Sequence, residues 1–315
     1  MIDVVCVGIL VADLMAKPVD SVPKPGLLSL VDSIEIFTGG NSMTAAINIK
    51  KLGLESAMVG SVGKDFLGDI LYSELEKVGV ITEGVYRNEA AQTSASIVLS
   101  SSGGERTFMH CMGANAEFSS EQVNWDIVKQ ANVVFLSGTF LMKTFDGVQT
   151  AEFLKECKRL GKTTALDVCW DSQGQWGSLL DQAMPYIDIF MPSIEEARML
   201  SGANEKSGIT QIADCFFKKG VGSVVIKLGK DGCFIREKEA DKGEVISTFE
   251  KVTVVDTTGA GDSFCSGFLT AFVKGKSFAE CAKFANAVGS CCVSAKGATT
   301  GIKSYEQTLK FMEDM

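Results

Sequence analysis

Two hydrophobic patterns alternate along most of this chain of 315 residues. Nearly unbroken apolar runs of strand length occur at 4–8, 57–60, 133–137, 164–168, 187–191 and 224–228. Between them, apolar residues recur at helical spacing in 42–52, 66–78, 146–160, 194–200 and 210–219. Strands that are apolar on both faces and alternate with helices are typical of a parallel sheet with helices on either side. The sequence therefore predicts an α/β fold with three layers and a mainly parallel central sheet.

Two segments depart from this alternation and are predicted to form a small second sheet. Residues 18–37 contain three prolines and have no helical period. Residues 93–111 read as a β-hairpin that turns at 102–104, Ser-Gly-Gly. We expect these strands to cover the main sheet as a lid, inserted at about 14–38 and 93–112 of a single domain that spans 1–315.

Composition and charge argue against several classes of function. The chain has 39 acidic and 30 basic residues, a formal net charge of −9 and no basic stripe, so no nucleic-acid partner is expected. Its ten cysteines include no C-x-x-C pair, and His110 is its one histidine, which argues against structural zinc and indicates reduced core thiols. No run approaches the roughly 20 apolar residues of a membrane span, so we expect no membrane partner and a cytoplasmic location.

The most informative segment runs from 252 to 273. A strand predicted at 252–255 enters a tight turn, Asp-Thr-Thr-Gly-Ala-Gly at 256–261, and a helix follows. The small residues of this turn leave backbone N–H groups exposed at the helix N-terminus, where the helix dipole favours an anion. Asp262, in the first helical turn, is placed to deprotonate a hydroxyl beside a phosphoryl group. On these residues alone, a glycine-rich turn capped by an aspartate explains the pattern equally well.

This segment resembles the second signature of the PfkB/ribokinase family of carbohydrate kinases, Asp-Thr-x-Gly-Ala-Gly-Asp-x-Phe. The likeness continues in the family's order at Phe-Thr-Gly-Gly-Asn (37–41, similar to the first signature), Gly-Ala-Asn-Ala (113–116) and Lys-Leu-Gly-Lys-Asp-Gly (227–232). It extends over the chain from 8 to 301. The resemblance implies a ribokinase-like fold and ATP-dependent phosphorylation of a hydroxymethyl group on a small sugar or sugar acid.

The same resemblance assigns roles at the site of phosphoryl transfer. Asp262 is expected to be the general base. Charge on the transferred group is expected to be stabilised by the amides of Gly259, Ala260 and Gly261. Mg²⁺ is expected to bridge the ATP phosphates through waters that Glu196 organises. Ser193 replaces the asparagine of the family's N-x-x-E motif, so we expect a modified Mg²⁺ site that still functions.

Two further sets of residues follow from the resemblance. Nucleotide binding is assigned to Ser193, Lys227, Gly229, Gly232 and Asn286. In several relatives a similar loop surrounds a monovalent cation, which here implies a K+ site. Its ligands are expected to be Asp256, Thr258, Ala295 and Gly297.

The residues expected to bind the acceptor come partly from the resemblance and partly from position. The resemblance points to Asp13, Gly40, Asn41 and Asn115. Thr44 stands where many relatives carry an asparagine, so we expect a different pattern of hydroxyls to be recognised. Arg106 on the hairpin is a candidate for contact with a carboxylate or hydroxyls of the acceptor. Asp167 ends a predicted strand, and the carboxyl ends of parallel strands border the ligand crevice, so Asp167 and Trp170 are further candidates.

The sequence leaves two other functions open, a nucleoside kinase and a binding protein without catalysis. Kinases with the fold of the resembled family also phosphorylate nucleosides. Phe37, Phe108 and Trp170 are available to stack on a base. A binding protein without catalysis would keep the fold, although the intact run at 259–262 argues against it.

Alternating apolar residues in the lid strands leave one face to be covered, so we expect a homodimer through the lid. These residues are Ile34, Ile36, Ile97, Leu99 and Phe108.

Overall fold

Strands and helices alternate through residues 1–103, 105–203 and 207–315, the ranges that the computed structural model describes. Strands β1 to β13 span Ile2–Gly8, Val11–Lys17, Ser33–Gly39, Ser56–Gly63, Ile81–Asn88, Ala95–Ser100, Arg106–Cys111, Ala131–Thr139, Thr163–Val168, Ile189–Phe190, Ser223–Lys227, Cys233–Glu237 and Glu244–Ile246. Helices α1 to α11 span Asn41–Lys51, Phe66–Val78, Gly113–Glu117, Trp125–Gln130, Val148–Arg159, Gly177–Leu180, Ile194–Ser201, Ile209–Lys218, Ala260–Val273, Phe278–Val293 and Tyr305–Asp314.

The central sheet has nine strands in the order β13-β12-β11-β10-β9-β8-β1-β4-β5. Neighbours from β11 to β5 pair in parallel, whereas β12 and β13 at one edge pair antiparallel. Alternate residues of β1 enter separate core clusters, Val5 and Val7 on one side and Val4 and Cys6 on the other. Helices α5 and α8 contribute to the first cluster, and α1, α9 and α10 to the second. The predicted α/β fold with three layers is confirmed.

A second sheet of four strands, in the order β3-β2-β6-β7, forms the lid sheet. Its predicted hairpin is confirmed, since β6 and β7 pair antiparallel, while Gly104 of the predicted turn lies outside the described residues. The sequence analysis does not identify β2, which begins at Val11 and lies between β3 and β6. Only two apolar residues separate β2 from β1, so the hydrophobic pattern shows no break between the two strands.

Two predicted strands of the central sheet differ from the structure. The run at 187–191 contributes only the two residues of β10, because Pro185 lies in a 3₁₀ turn before it and Pro192 follows it closely. Residues 252–255 form no strand. The Val255 N–H donates to the Val293 carbonyl at the end of α10 (2.7 Å), and β13 takes the edge of the sheet instead.

The helices that border the candidate site begin in two different ways. Ser277 starts α10 with a capping box, in which its amide donates to Glu280 Oε2 and its hydroxyl oxygen accepts from the Glu280 N–H. Gly40 and Gly259 start α1 and α9 with positive φ and without a side-chain cap. Helices α1 and α9 therefore have uncapped N-termini, at which backbone N–H groups lack a side-chain acceptor. No helix within the described ranges combines the length and the apolar character needed to cross a membrane.

Candidate active site

Helices α1 and α9 bring their N-termini to one place. Asn41, the first residue of α1, donates from Nδ2 to Oδ1 of Asp262 in the first turn of α9, at 2.8 Å. A Cβ on Gly40 would lie 2.5 Å from the Ile9 carbonyl oxygen, and one on Gly259 would lie 2.2 Å from the Ala298 Cβ, so each helix start packs closely on a neighbouring loop. Two residues that are 221 positions apart are therefore fixed side by side at the positive ends of two helix dipoles.

The first turn of α9 is open to an anion, largely as the sequence indicates. Within the described residues, the amides of Gly259 and Gly261 have no acceptor, and α9 has no side-chain cap. The Ala260 amide differs, because it donates to the Thr257 carbonyl at 3.3 Å. Two amides of the predicted three are therefore available to phosphoryl oxygens without any rearrangement.

Asp262 belongs to a partly buried group of charged residues. Lys227 and Glu196 are close enough to influence its ionisation. Burial raises the pKa of Asp262 above its ordinary value, while Lys227 and the hydrogen bond from Asn41 oppose that rise. A higher pKa makes the carboxylate a stronger base toward the proton of a nearby hydroxyl. The geometry fits a general base at Asp262, and that role stays a prediction.

Lys227 and Asp167 form a buried ion pair. Lys227 Nζ lies 2.6 Å from Asp167 Oδ2, and the two side chains are 14 % and 2 % exposed. Burial raises the pKa of Asp167, and Lys227 opposes the rise. A Cβ on Gly261 would lie 3.6 Å from Lys227 Nζ, so the ammonium borders the anion-binding turn. Asp167 is therefore engaged by Lys227, and its contact with the acceptor stays a prediction.

Ser193 and Glu196 hold each other at the start of α7. The Ser193 N–H donates to Glu196 Oε2 at 2.7 Å, and Ser193 Oγ accepts from the Glu196 N–H at 3.3 Å. Burial raises the pKa of Glu196, and Lys227 opposes the rise. The serine thus acts as a helix cap, and the other carboxylate oxygen, to which no described residue donates, is available to a Mg²⁺-bound water. No cluster of three or more His, Cys, Asp or Glu in the described ranges could hold a metal ion, so the chain offers few direct ligands.

A cleft of about 760 Å³ lies beside this turn. Its lining includes six residues assigned from the sequence: Lys227, Gly229, Gly232, Ala260, Gly261 and Asn286. Asn286 uses its amide within the protein, because Nδ2 donates to the carbonyls of Ile246 and Ser247 at 2.9 and 3.2 Å. It therefore shapes the cleft by fixing the backbone that leaves β13.

One wall of this cleft is not indicated by any of the sequence motifs. The wall consists of residues after β12 and residues of α10, namely Val245, Ser247, Thr248, Phe249, Glu250, Val252, Val254, Gly289, Ser290 and Val293. The alternating valines at 252–255 are the signal that could have indicated it. Their pattern predicts an apolar face correctly, but that face borders the cleft and pairs with no strand.

The inner face of the lid sheet carries Asp13. Strand pairing places Asp13 level with Phe37 on β3 and with Ser96 on β6, and places His110 on β7 level with Ser96. Ser96 Oγ lies 3.1 Å from His110 Nδ1. Burial raises the pKa of Asp13, and a hydrogen bond with Ser96 opposes the rise. The predicted sugar-binding aspartate thus lies in a row of polar groups, two of which the sequence analysis does not identify.

Two other predicted acceptor residues are buried. The side chain of Asn115 donates to the Leu10 carbonyl at 2.8 Å and accepts from the Leu10 N–H at 3.2 Å, so it fixes the link between β1 and β2. Thr44 is buried on α1. Asn48, one turn further along, donates to Ser263 Oγ at 3.0 Å and joins α1 to α9. These residues shape the site from behind, and a direct contact of Asn115 or Thr44 with a sugar is not supported.

The Arg106 guanidinium is engaged by Asp256, although the side chain also lines the crevice that Asp13 borders. Its Nη2 lies 2.5 Å from Asp256 Oδ1, in an ion pair whose side chains are 19 % and 10 % exposed. The pair joins β7 of the lid sheet to the turn that precedes α9. The contact of Arg106 with an acceptor stays a prediction, and a carboxylate on a sugar acid would have to compete with Asp256 for the guanidinium.

The residues predicted to hold K+ do not fit a monovalent cation. Asp256 Oδ1 accepts from the Thr258 N–H at 2.7 Å as well as from Arg106, and Oδ2 accepts from the Gly297 N–H at 3.0 Å. Burial would raise the pKa of Asp256, but these hydrogen bonds lower it, so the carboxylate is ionised. Arg106 already balances that charge. Thr258 Oγ1 is buried without a partner among the described residues, but a single oxygen does not replace the hydration shell of a cation.

The fold and the site together define a small-molecule kinase, with an anion-binding helix N-terminus between a nucleotide-sized cleft and the polar inner face of a lid. A model of the pfkB family of carbohydrate kinases matches residues 1–304. The chain belongs to this family. It is accordingly a carbohydrate kinase, a phosphotransferase with an alcohol as acceptor.

Similar proteins match almost the whole chain. The ribokinase of Haemophilus influenzae is 29 % identical over 308 residues, which are 95 % of each protein. A nucleoside kinase of Methanothermobacter thermautotrophicus is 26 % identical over 291 residues, 92 % of this chain and 89 % of the relative. The structure of Arabidopsis thaliana ribokinase complexed with ribose and ATP superposes with a TM-score of 0.86, at 28 % identity and over 99 % of both chains. The predicted family and the ribokinase-like fold are confirmed.

Proposed function

We propose that this chain transfers the γ-phosphoryl group of ATP to a hydroxymethyl group of a small sugar or sugar acid. The observation that carries the proposal is the position of Asp262. It lies in the same helical turn as the free amides of Gly259 and Gly261, and the nucleotide cleft borders that turn. Deprotonation of a hydroxyl and stabilisation of a phosphoryl group are therefore both available at one helix N-terminus.

The residues of the site have separate tasks in this reaction. Asn41 holds Oδ1 of Asp262, which leaves Oδ2 to take the proton of the acceptor hydroxyl. The amides of Gly259 and Gly261 stabilise the charge that develops on the transferred oxygens. Lys227 adds positive charge beside Gly261. The lid sheet excludes water, which would otherwise compete as phosphoryl acceptor.

ATP and Mg²⁺ are the proposed partners of the nucleotide side. The cleft of about 760 Å³ is large enough for a nucleotide, and Arabidopsis ribokinase, a relative over the full chain, was solved with ATP. Glu196 would hold Mg²⁺ through water, with Ser193 fixing the carboxylate. When bound, Mg²⁺ neutralises negative charge on the phosphates.

A nucleoside is the second candidate acceptor. Phe37 and Phe108 line a crevice together with Asp13 on the inner face of the lid sheet, and Trp170 is exposed. These aromatic rings could hold a base, as an acceptor of the similar nucleoside kinase would require. The polar row of Asp13, Ser96 and His110 favours the hydroxyls of a sugar.

Acceptor specificity is tested with a panel of pentoses, hexoses, sugar acids and nucleosides, each with ATP and Mg²⁺. We expect turnover with a sugar and a product that carries a phosphate ester on a hydroxymethyl carbon, identified by NMR. Turnover confined to nucleosides would establish the second candidate. Binding of ATP with no transfer to any acceptor would contradict both and would indicate a binding protein.

We place the protein in the cytoplasm. All ten cysteines are free, and most of them are buried in the core. Burial raises the pKa of thiols such as Cys157 and Cys233 to about 12, so they stay protonated and unreactive. Free core thiols suit a reducing compartment.

The outer face of the lid sheet supports the proposed homodimer. The strand register places Ile36, Leu14, Ile97 and Met109 level across all four strands, and Ile36, Ile97 and Met109 are exposed. Phe108 lies one position away, on the inner face, so its assignment to this apolar face is wrong. A second copy of the same apolar stripe is the simplest cover for such a surface.

Ile97→Asp is expected to turn the dimer into a monomer, because a carboxylate at the centre of the stripe would be buried without a partner. Light scattering at micromolar concentration measures the change in mass. The matched control is Val148→Asp at the start of α5, which is 55 % exposed, compared with 47 % for Ile97, and lies outside the lid sheet. A monomeric wild type, or a dimer that survives Ile97→Asp, would rule out this interface.

A further inference from the structure

Arg106 connects two parts of the protein that are 150 positions apart in the sequence. It leaves β7 on the inner face of the lid sheet and reaches Asp256 in the turn before α9. Both side chains are largely buried, so water and salt screen this ion pair weakly. The pair therefore places a fixed positive charge of the lid next to the anion-binding turn.

Asp256 in turn holds the backbone that supports the anion-binding turn. Its two oxygens accept from the N–H groups of Thr258 and Gly297. Thr258 directly precedes Gly259, and Gly259 packs so closely on Ala298 that a Cβ would lie 2.2 Å from the alanine Cβ. A fixed Asp256 carboxylate thus sets the position of the Gly259 amide on both sides.

Side-chain donors also hold the 295–299 loop, at the carbonyls of Ala298 and Thr299 next to those expected to bind a cation. Lys51 Nζ donates to the Thr299 carbonyl at 2.8 Å. The Ala298 carbonyl accepts from Asn48 Nδ2 and from Ser263 Oγ, each at 3.3 Å. The loop is thus held by donors that belong to the chain itself.

We propose that the Arg106 guanidinium is a built-in substitute for a monovalent cation at the site of phosphoryl transfer. It balances Asp256, fixes the turn that carries the Gly259 amide, and makes the reaction independent of K+ and Na+. Because the charge is anchored on β7, the turn is fixed only when the lid sheet is in place. The inference rests on the proposed anion-binding role of this turn, through which Arg106 acts as a positioning residue.

The first test compares rates in a buffer whose only monovalent cation is tetramethylammonium with rates after addition of K+ or of low guanidinium. The wild type should be unaffected by either addition. Arg106→Ala should lose about ten- to a hundredfold in kcat, as expected for a displaced anion-hole donor, and should recover much of it with K+ or guanidinium. Arg236→Ala is the matched control, since Arg236 is 14 % exposed, compared with 19 % for Arg106, and is paired with an acid, Asp214, at 2.7 Å outside the site. It should behave as the wild type does.

The second test needs no turnover and so separates this inference from the proposed function. A ligand that binds the folded state raises the melting temperature. At equal ionic strength, K+ in place of tetramethylammonium should raise the Tm of Arg106→Ala and leave the wild-type Tm unchanged. If Arg106→Ala does not fold, the wild-type halves of both tests can still overturn the inference.

Three results would overturn the inference. One is stimulation of the wild type by K+, in rate or in Tm. Another is an Arg106→Ala enzyme with full activity in tetramethylammonium. The third is a loss in Arg106→Ala that neither K+ nor guanidinium repairs, because a purely structural arginine predicts that pattern. Absence of turnover with every acceptor would count against the proposed function and would leave the Tm test in force.

Discussion

Asp262→Asn is expected to lower kcat by roughly 10²–10⁴-fold while the affinity for ATP changes little. An acceptor hydroxyl is a weak nucleophile until its proton leaves, and Asp262 is the carboxylate beside the open amides of α9. The asparagine keeps the shape and can still accept the hydrogen bond from Asn41. The substitution therefore removes the base and leaves the geometry of the turn intact.

The pH profile should identify the same group. A general base works only when it is deprotonated, and burial raises the pKa of Asp262. As the pH falls, the wild-type kcat should therefore decline at a higher pH than an ordinary aspartate would cause. This inflection should be absent from the residual activity of Asp262→Asn.

A capping role for Asp262 predicts a different result. Asparagine is as good a helix cap as aspartate, so stability would fall by about 1 kcal/mol at most and turnover would persist. Measurement of kcat and Tm on the same variant separates the two roles. Asp231→Asn, which changes an exposed acid of the same cleft, is the control and should retain activity. Turnover retained by Asp262→Asn would exclude the proposed mechanism.

The elements that the sequence predicts well are those whose pattern depends on near neighbours. The helix at 66–78 has the predicted bounds, because its apolar stripe and the Asp65 cap are local signals. The strand predicted at 252–255 is wrong, because alternating apolar residues indicate an apolar surface but do not indicate what covers it. Here a ligand cleft takes the place of a neighbouring strand.

The same limit applies to the candidate site. Motif residues such as Gly259 and Asp262 are identified because turn, helix and carboxylate follow one another in the chain. Partners across the fold are not, and the two clearest examples are Arg106 with Asp256 and Asp167 with Lys227. For each of these four residues, the surrounding motif or strand predicts a bound ligand as the partner. In the structure they satisfy one another, because a buried charge is stable only beside an opposite one.

Asp167→Ala is expected to lower the free energy of unfolding by about 3 kcal/mol, since it leaves Lys227 buried without its carboxylate. Glu196 and Asp262 remain near the ammonium, which places the effect at the lower end of the range for broken buried pairs. Glu156→Ala is the control. It breaks an exposed pair with Arg159, which water screens, so stability should change little.

Binding of MgATP should repair part of this loss, which ties the pair to function. Lys227 Nζ borders Gly261, so phosphate oxygens at the anion-binding turn would supply the missing negative charge. MgATP should therefore raise the Tm of Asp167→Ala by more than it raises the wild-type Tm. The double variant Asp167→Ala/Lys227→Met should regain stability relative to Asp167→Ala and lose this extra response to MgATP. Equal Tm shifts in wild type and Asp167→Ala would show that Lys227 does not meet the nucleotide, and the pair would then be a structural feature of the core alone.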